Sequence, residues 1–305
     1  MTVQSLALPV AKAVANTTMR RWGVLTARWR PVPDFLIVGT KRGGTTSLFD
    51  YLTRLPGILR MFPQMRKLKS PAYFFQRYSL GEAWYRSHFH TEAYRGALAR
   101  RLGYRALSGE ASPYYLYDPR VPERARQLAP DARIIVLLRD PVKRAWSHYQ
   151  ERVGQGVEPL NFEQALEAED DRTRGEVDRM LADPSYYGIA HDYYSYRDRG
   201  LYLPQLHRWY AQYPPEQILV LRSEDMYADV QATVDRVCAF LGIPETVLPE
   251  RPRLNYIPTP PMPEGARAEL ASFFGAHQQA LESYLGRAMH WPFGLPVSAA
   301  STSRE

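Results

Sequence analysis

Residues 35–52 read FLIVGTKRGGTTSLFDYL: an apolar run, a glycine-rich turn holding two cations, and a stretch with helical spacing. A strand, turn and helix in that order aim backbone N–H groups and the positive end of the helix at one anion. Gly43 and Gly44 let the backbone come close to it, and Thr45, Thr46 and Ser47 add hydroxyl donors in the first helical turn. Lys41 supplies a mobile point charge able to follow charge onto a leaving oxygen. Gly39 and Gly44 have the spacing of the phosphate loop G-x-x-x-x-G-K-[ST], yet Thr45 stands where the lysine should be, and Lys41 and Arg42 lie inside the turn. The plain alternative is a glycine turn with a threonine cap.

A second constellation lies in RIIVLLRDPVKRAWSHY, residues 133–149. Arg139 ends an apolar run and Ser147 follows on the next helical stretch, a guanidinium fork and a hydroxyl suited to a second phosphate-like group. An enzyme of magnesium nucleotides needs a Ser/Thr after the loop lysine and an acidic residue at the end of a second strand. Asp140 meets the second requirement and keeps a P-loop kinase or NTPase as the rival. Two anion sites at strand tips point to a ligand with two separated phosphate-like groups and no metal.

The elements that must hold these residues alternate. FLIVG (35–39), RIIVLLR (133–139) and QILVLRSEDM (217–226) read as buried parallel strands, with a short strand in YRALSGE before Glu110. Helices are expected after residue 45, with Leu48, Tyr51, Leu52 and Leu55 on one face, after Pro141, and over 81–89, 229–241 and 263–286. This is an α/β fold: a mostly parallel central sheet flanked by helices, one domain over residues 34–295. The polar stretch from Gly154 to Asp183 is expected to be a mobile insertion, and residues 296–305 a disordered tail. Residues 1–33 carry Lys12, Arg20, Arg21, Arg28 and Arg30 without an acidic residue, either a lead-in segment on the domain or a peripheral membrane contact.

Composition sets the bounds. The 305 residues are 45% hydrophobic and 23% charged, and the net charge of +7 suits an anionic ligand. A nucleic-acid-binding module is the non-enzymatic alternative, but the cations are scattered and no nucleic-acid motif is present, so no nucleic-acid partner is expected. No run approaches the roughly 20 apolar residues of a membrane span, and the expectation is a cytoplasmic protein. The single cysteine, Cys238, reads as part of a buried helix face.

Taken together, GTKRGGTTSL and LLRDPVKRAWSHY resemble the two nucleotide-binding signatures of the PAPS-dependent sulfotransferases, nearest to the glycosaminoglycan-type enzymes and their bacterial relatives. GEASPYYLYDP (109–119), residues 199–226 and YLGRAMHW (284–291) extend the similarity. The resemblance implies sulfuryl transfer from PAPS to a hydroxyl, less readily an amine, of a carbohydrate, lipid or phenolic acceptor, with PAP released and no metal. It selects no oligomeric state. Lys41, Arg42, Gly43, Gly44, Thr45, Thr46 and Ser47 resemble the 5′-phosphosulfate loop, and Arg139 and Ser147 the 3′-phosphate clamp.

Two departures stand out. The family's K-E-x-H-F-F stretch, whose glutamate is the general base, reads LKSPAYFF here, with Ser70 and Ala72 in place of glutamate and histidine. A serine without a partner is a poor base near neutral pH. The late basic-glycine loop reads RPRLNYIPTPP, with Arg251, Arg253 and Tyr256. The candidate base is therefore Glu110, at the edge where ligands bind in open α/β sheets, with His191 a weaker second and His148 a packing residue. Lys41 is assigned to the leaving oxygen, with Lys69 able to share that task, and the tyrosine-rich stretch 186–202 either lines the acceptor pocket or packs.

Overall fold

The computed structural model describes residues 16–63, 68–249 and 260–293. Its centre is a five-stranded sheet in the order β2-β3-β1-β4-β5, built from β1 (Phe35–Gly39), β2 (Ile58–Leu59), β3 (Leu107–Ala111), β4 (Arg133–Leu138) and β5 (Ile218–Arg222). Every neighbouring pair is parallel. Strands covered by helices on both faces lose the alternation of half-exposed strands, and β1 is buried at all positions. β3 is buried throughout as well, although it reads LSGEA and carries Glu110 into the interior. A carboxylate buried in such a strand needs hydrogen-bond partners.

The chain runs outward from β1 to one side and then crosses to β4 on the other side. The crevice between those halves, at the carboxyl ends of β1, β3 and β4, is the topological switch point where ligands settle in open α/β sheets. Helix α1 (Thr45–Leu52) leaves β1 there, and α2 (Pro141–Gly154) leaves β4. The buried face of α1 holds Leu48, Tyr51 and Leu52, and Leu55 beyond it joins the same core.

Several expectations shift. The segment 217–226 is a strand only as far as Arg222; Ser223–Ala228 is a helix, α4 in chain order after α3 (Ile189–Tyr194). The polar stretch 154–183 folds as three short helices (Phe162–Glu167, Glu169–Thr173 and Glu176–Ala182). Buried Glu169 anchors it by accepting the backbone N–H groups of Tyr196, Arg197 and Asp198. Cys238 is buried on the helix Val230–Leu241, as its spacing predicts. The described part of the basic arm packs on the domain: Arg20 donates to Ser87 Oγ at 2.9 Å and to the Phe62 carbonyl at 3.0 Å. Its outer side leaves Trp22, Leu25 and Trp29 exposed. Residues 1–15, Arg251, Arg253, Tyr256 and the tail 296–305 lie outside the described residues.

Candidate active site

The turn after β1 is shaped by contacts that only glycine allows. Gly44 caps α1 with φ of 94°, and a Cβ there would lie 2.7 Å from the Tyr227 hydroxyl. A Cβ at Gly43 would meet the Leu137 carbonyl at 2.8 Å. The Thr40 amide donates to that same Leu137 carbonyl, and the Ser223 hydroxyl donates both to the Gly43 carbonyl and, at 2.9 Å, to that of Leu138. The loop is thus stapled between β4 and β5 before any ligand arrives. Thr45 and Ser47 are buried on α1 while Thr46 is only partly buried, so of the three expected hydroxyl donors Thr46 is the one at the surface of the crevice.

Arg139 and Ser147, expected to act together, are joined through Arg42, which the sequence assigned to the other signature. Arg42 Nε donates to Ser147 Oγ at 3.0 Å and Arg139 Nη1 to the Arg42 carbonyl at 2.8 Å. The two basic signatures therefore form one cationic wall. Asp140, which kept the NTPase reading open, is buried and caps α2, accepting the amides of Val142 and Lys143 at 2.9 and 3.2 Å. It is spent on the helix end.

The wall has an acidic counterpart that the sequence reading missed. Glu151 accepts from Arg42 Nη1 at 3.1 Å and lies 3.6 Å from Lys41 Nζ, while Asp192 on α3 lies 3.5 Å from the same ammonium. Glu151 stands one helical turn beyond Ser147, a spacing that puts both on one face of α2 and could have been noticed. Asp192 carried no such signal. Burial pushes the Asp192 carboxyl up, but Lys41 and Arg199 outweigh it and hold it well below the usual carboxylate range. Burial lowers the Lys41 ammonium to about 8.

Lys69 and Ser70 form a bridge across the crevice. The Ala111 amide donates to the Lys69 carbonyl at 2.7 Å, which docks this strip on the end of β3. Lys69 Nζ reaches Thr46 Oγ1 at 2.6 Å, and burial brings its ammonium to about 8. Ser70 Oγ faces the other way and donates to Glu110 Oε2 at 2.9 Å, so Ser70 has a partner after all. Glu110 is 0% exposed; Tyr85 and Tyr115 donate to its Oε1 at 2.6 and 3.0 Å. Burial raises this carboxyl to about 7, against the opposing pull of those three hydroxyls.

The remaining candidates are occupied. His191 is buried, holds the Tyr114 hydroxyl at 2.7 Å through Nδ1, stacks on Tyr117 with ring centres 4.0 Å apart, and is lowered to about 3 by burial. His148 is fully buried and packs on Tyr196. Of the tyrosine-rich stretch, Tyr196 is core, whereas partly exposed Tyr187 packs on Phe75 and donates to Asp192 Oδ2 at 2.6 Å.

The glycine-rich turn at the switch point, the Arg42–Arg139–Ser147 contacts beside it and the Ser70–Glu110 pair lie around one crevice. The sulfotransferase domain pattern matches residues 32–256, and the chain belongs to the PAPS-dependent sulfotransferase family. It is 31% identical to mouse (Mus musculus) heparan sulfate glucosamine 3-O-sulfotransferase 6 over 72% of this chain and 54% of that protein. It is 26% identical to the membrane-associated sulfotransferase kil1 of Dictyostelium discoideum over 85% of this chain and 66% of that protein. The chain thus spans about half to two thirds of the length of these curated relatives. A sulfotransferase structure from Alicyclobacillus acidocaldarius superimposes with a TM-score of 0.60 at 29% identity, covering 84% of this chain and 97% of that one.

Proposed function

We propose that this protein transfers the sulfuryl group of PAPS to an acceptor hydroxyl, most readily that of a carbohydrate, and releases PAP. The observation that carries the reading is the pairing of the β1 loop with the Arg42–Arg139–Ser147 wall, two anion-binding elements on adjacent strands. The loop N–H groups and Lys41 take the 5′-phosphosulfate; Arg139 and Ser147 take the 3′-phosphate. Support for a carbohydrate comes from the heparan sulfate acceptor in the names of relatives; lipid and phenolic hydroxyls, and amines, are chemically compatible with the same site.

Sulfuryl transfer follows the logic of phosphoryl transfer: a loose, in-line transition state served by positioning and electrostatics. The acceptor oxygen forms a bond to sulfur as the bond from sulfur to the bridging oxygen breaks. Charge gathers on that bridging oxygen, where Lys41, assisted by Lys69, neutralises it as it forms. Glu110 is the carboxylate that becomes protonated as the acceptor loses its proton. Calorimetric titration with PAP, with and without EDTA, tests the nucleotide half; strict dependence on magnesium counts against it. Incubation with ³⁵S-labelled PAPS and a cell extract identifies the acceptor class.

Peripheral membrane contact belongs to the same proposal. Its support is the exposed Trp22, Leu25 and Trp29 beside exposed Arg21 and Arg28, apolar and cationic groups that an anionic lipid surface accommodates together.

A further inference from the structure

We infer that Ser70 and Glu110 act as a two-member proton relay, Ser70 Oγ taking the acceptor's proton while passing its own to Glu110 Oε2. The inference rests on the sulfuryl-transfer reading and goes beyond it by naming the group that touches the acceptor.

Glu110 cannot do so itself. It is enclosed in β3 at 0% exposure, with both carboxylate oxygens already accepting hydroxyl protons. Ser70 is partly exposed and is the one of its three hydroxyl partners that is not buried. A serine oxygen has one proton and two lone pairs. The proton is shared between Glu110 Oε2 at 2.9 Å and the nearby Tyr115 oxygen, and one lone pair takes the Ala72 amide at 3.0 Å, which leaves the second lone pair for an incoming hydroxyl. The neighbouring Lys69 reaches Thr46 on the anion loop, so the strip that carries the relay also touches the element assigned to the phosphosulfate.

The step balances. The acceptor O–H bond breaks and its proton bonds to Ser70 Oγ, whose original proton moves to Glu110. The acceptor's electron pair forms the new O–S bond, and the pair of the broken S–O bond stays on the 5′-phosphate of PAP. Ser70 ends neutral as it began, and Glu110 ends as a neutral acid bonded to Tyr85 and Tyr115. The proton leaves Glu110 by the same route in reverse. Burial at Glu110 raises its affinity for a proton, and the hydroxyls of Tyr85, Ser70 and Tyr115, none of them charged, oppose that effect only in part. Asp192, one of the two carboxylates beside Lys41, is held too acidic by Lys41 and Arg199 to serve as well.

Ser70→Ala, Ser70→Thr, Glu110→Gln and the Ser70→Ala/Glu110→Gln pair decide the matter. Transfer of ³⁵S from PAPS is followed with heparan sulfate as acceptor and, in parallel, with water as acceptor through release of labelled sulfate. Each single variant, Ser70→Thr excepted, should slow transfer on the order of 10²–10⁴-fold, with PAP affinity unchanged. The double variant should be no slower than the slower single one, and the rise of kcat/KM with pH near 7 should vanish in both. Ser70→Thr, which keeps the hydroxyl, should restore rate and pH profile. A Ser70→Ala enzyme with wild-type rate and profile overturns the relay while leaving the sulfotransferase reading intact. A wild type that fails to bind PAP, or transfers to neither acceptor, overturns the underlying reading and the relay with it.

Discussion

Glu110→Gln should make the protein more stable at pH 8 while removing activity, and the structure gives the size. The carboxyl is raised from 4.5 to about 7 because β3 buries it. The native state therefore holds the proton more tightly than the unfolded chain does. Below pH 4 the group is protonated in both states and contributes no difference. As pH rises from about 4.5 to 7 the unfolded chain ionises first and stability falls. Above 7 the native protein carries a buried carboxylate at a cost of about 3 kcal/mol, at roughly 1.4 kcal/mol for each tenfold difference in proton affinity. Glutamine keeps the bonds: its Oε1 accepts from Tyr85 and Tyr115, and its amide donates to Ser70 Oγ, with no charge to bury. Urea denaturation of both proteins at pH 5 and pH 8 should show a small difference at the lower pH and a gain of up to about 3 kcal/mol for the variant at the higher. Equal stabilities at pH 8, or a variant destabilised alike at both, would refute the argument that this carboxylate is held at a cost.

Arg139→Ala should weaken PAP by about 1.5–3 kcal/mol, roughly tenfold to a hundredfold, and 5′-AMP far less, because the guanidinium is assigned to the 3′-phosphate; equal losses in calorimetry would remove that assignment. PAP affinity should fall as pH rises through 8, since Lys41 and Lys69, both lowered to about 8 by burial, lose their charge there. An affinity flat from pH 7 to 9.5 would show that neither ammonium meets the ligand. Trp22→Ser with Leu25→Ser should abolish co-sedimentation with phosphatidylserine vesicles and leave PAP binding untouched; a wild type that stays in the supernatant would sink the membrane proposal.

Much of the fold was legible because its strands are short apolar runs and its helices start at recognisable caps. β1 and β4 lie where their apolar runs put them, and Pro141 opens α2 after Asp140. The error at 217–226 has a physical cause. Ser223, Glu224 and Asp225 continue an apolar strand without a glycine or proline to break it, and the helix they begin is fixed by the tertiary bond from Ser223 to the loop. β2 was invisible for a different reason: it is two residues long and exists only through pairing with β3. The segment 154–183 looked mobile because it is polar. Glu158 and Glu169, two of its buried glutamates, take partners from beyond the segment, the Tyr196 hydroxyl and the amides of residues 196–198, and no local pattern announces that.

The candidate site divides along the same line. Its cationic half rests on contiguous backbone and on residues at helix starts, so the sequence sets Arg42, Arg139 and Ser147 near strand ends, while their joining with Glu151 is seen only in the structure. Of its acid–base half the sequence names Glu110 as the candidate base but not the hydroxyls that reach it. Ser70, seen alone, has no partner, because the contact is assembled between segments distant in sequence. The Ala111–Lys69 bond that pins the strip to β3 holds Ser70 Oγ 2.9 Å from that carboxylate. The carboxylate that the strip lacks is supplied from the sheet, one hydroxyl further from the acceptor. Burial and hydroxyl partners, rather than cations such as those that hold Asp192 acidic, set the Glu110 carboxyl at about 7, near the proton affinity that transfer at neutral pH requires.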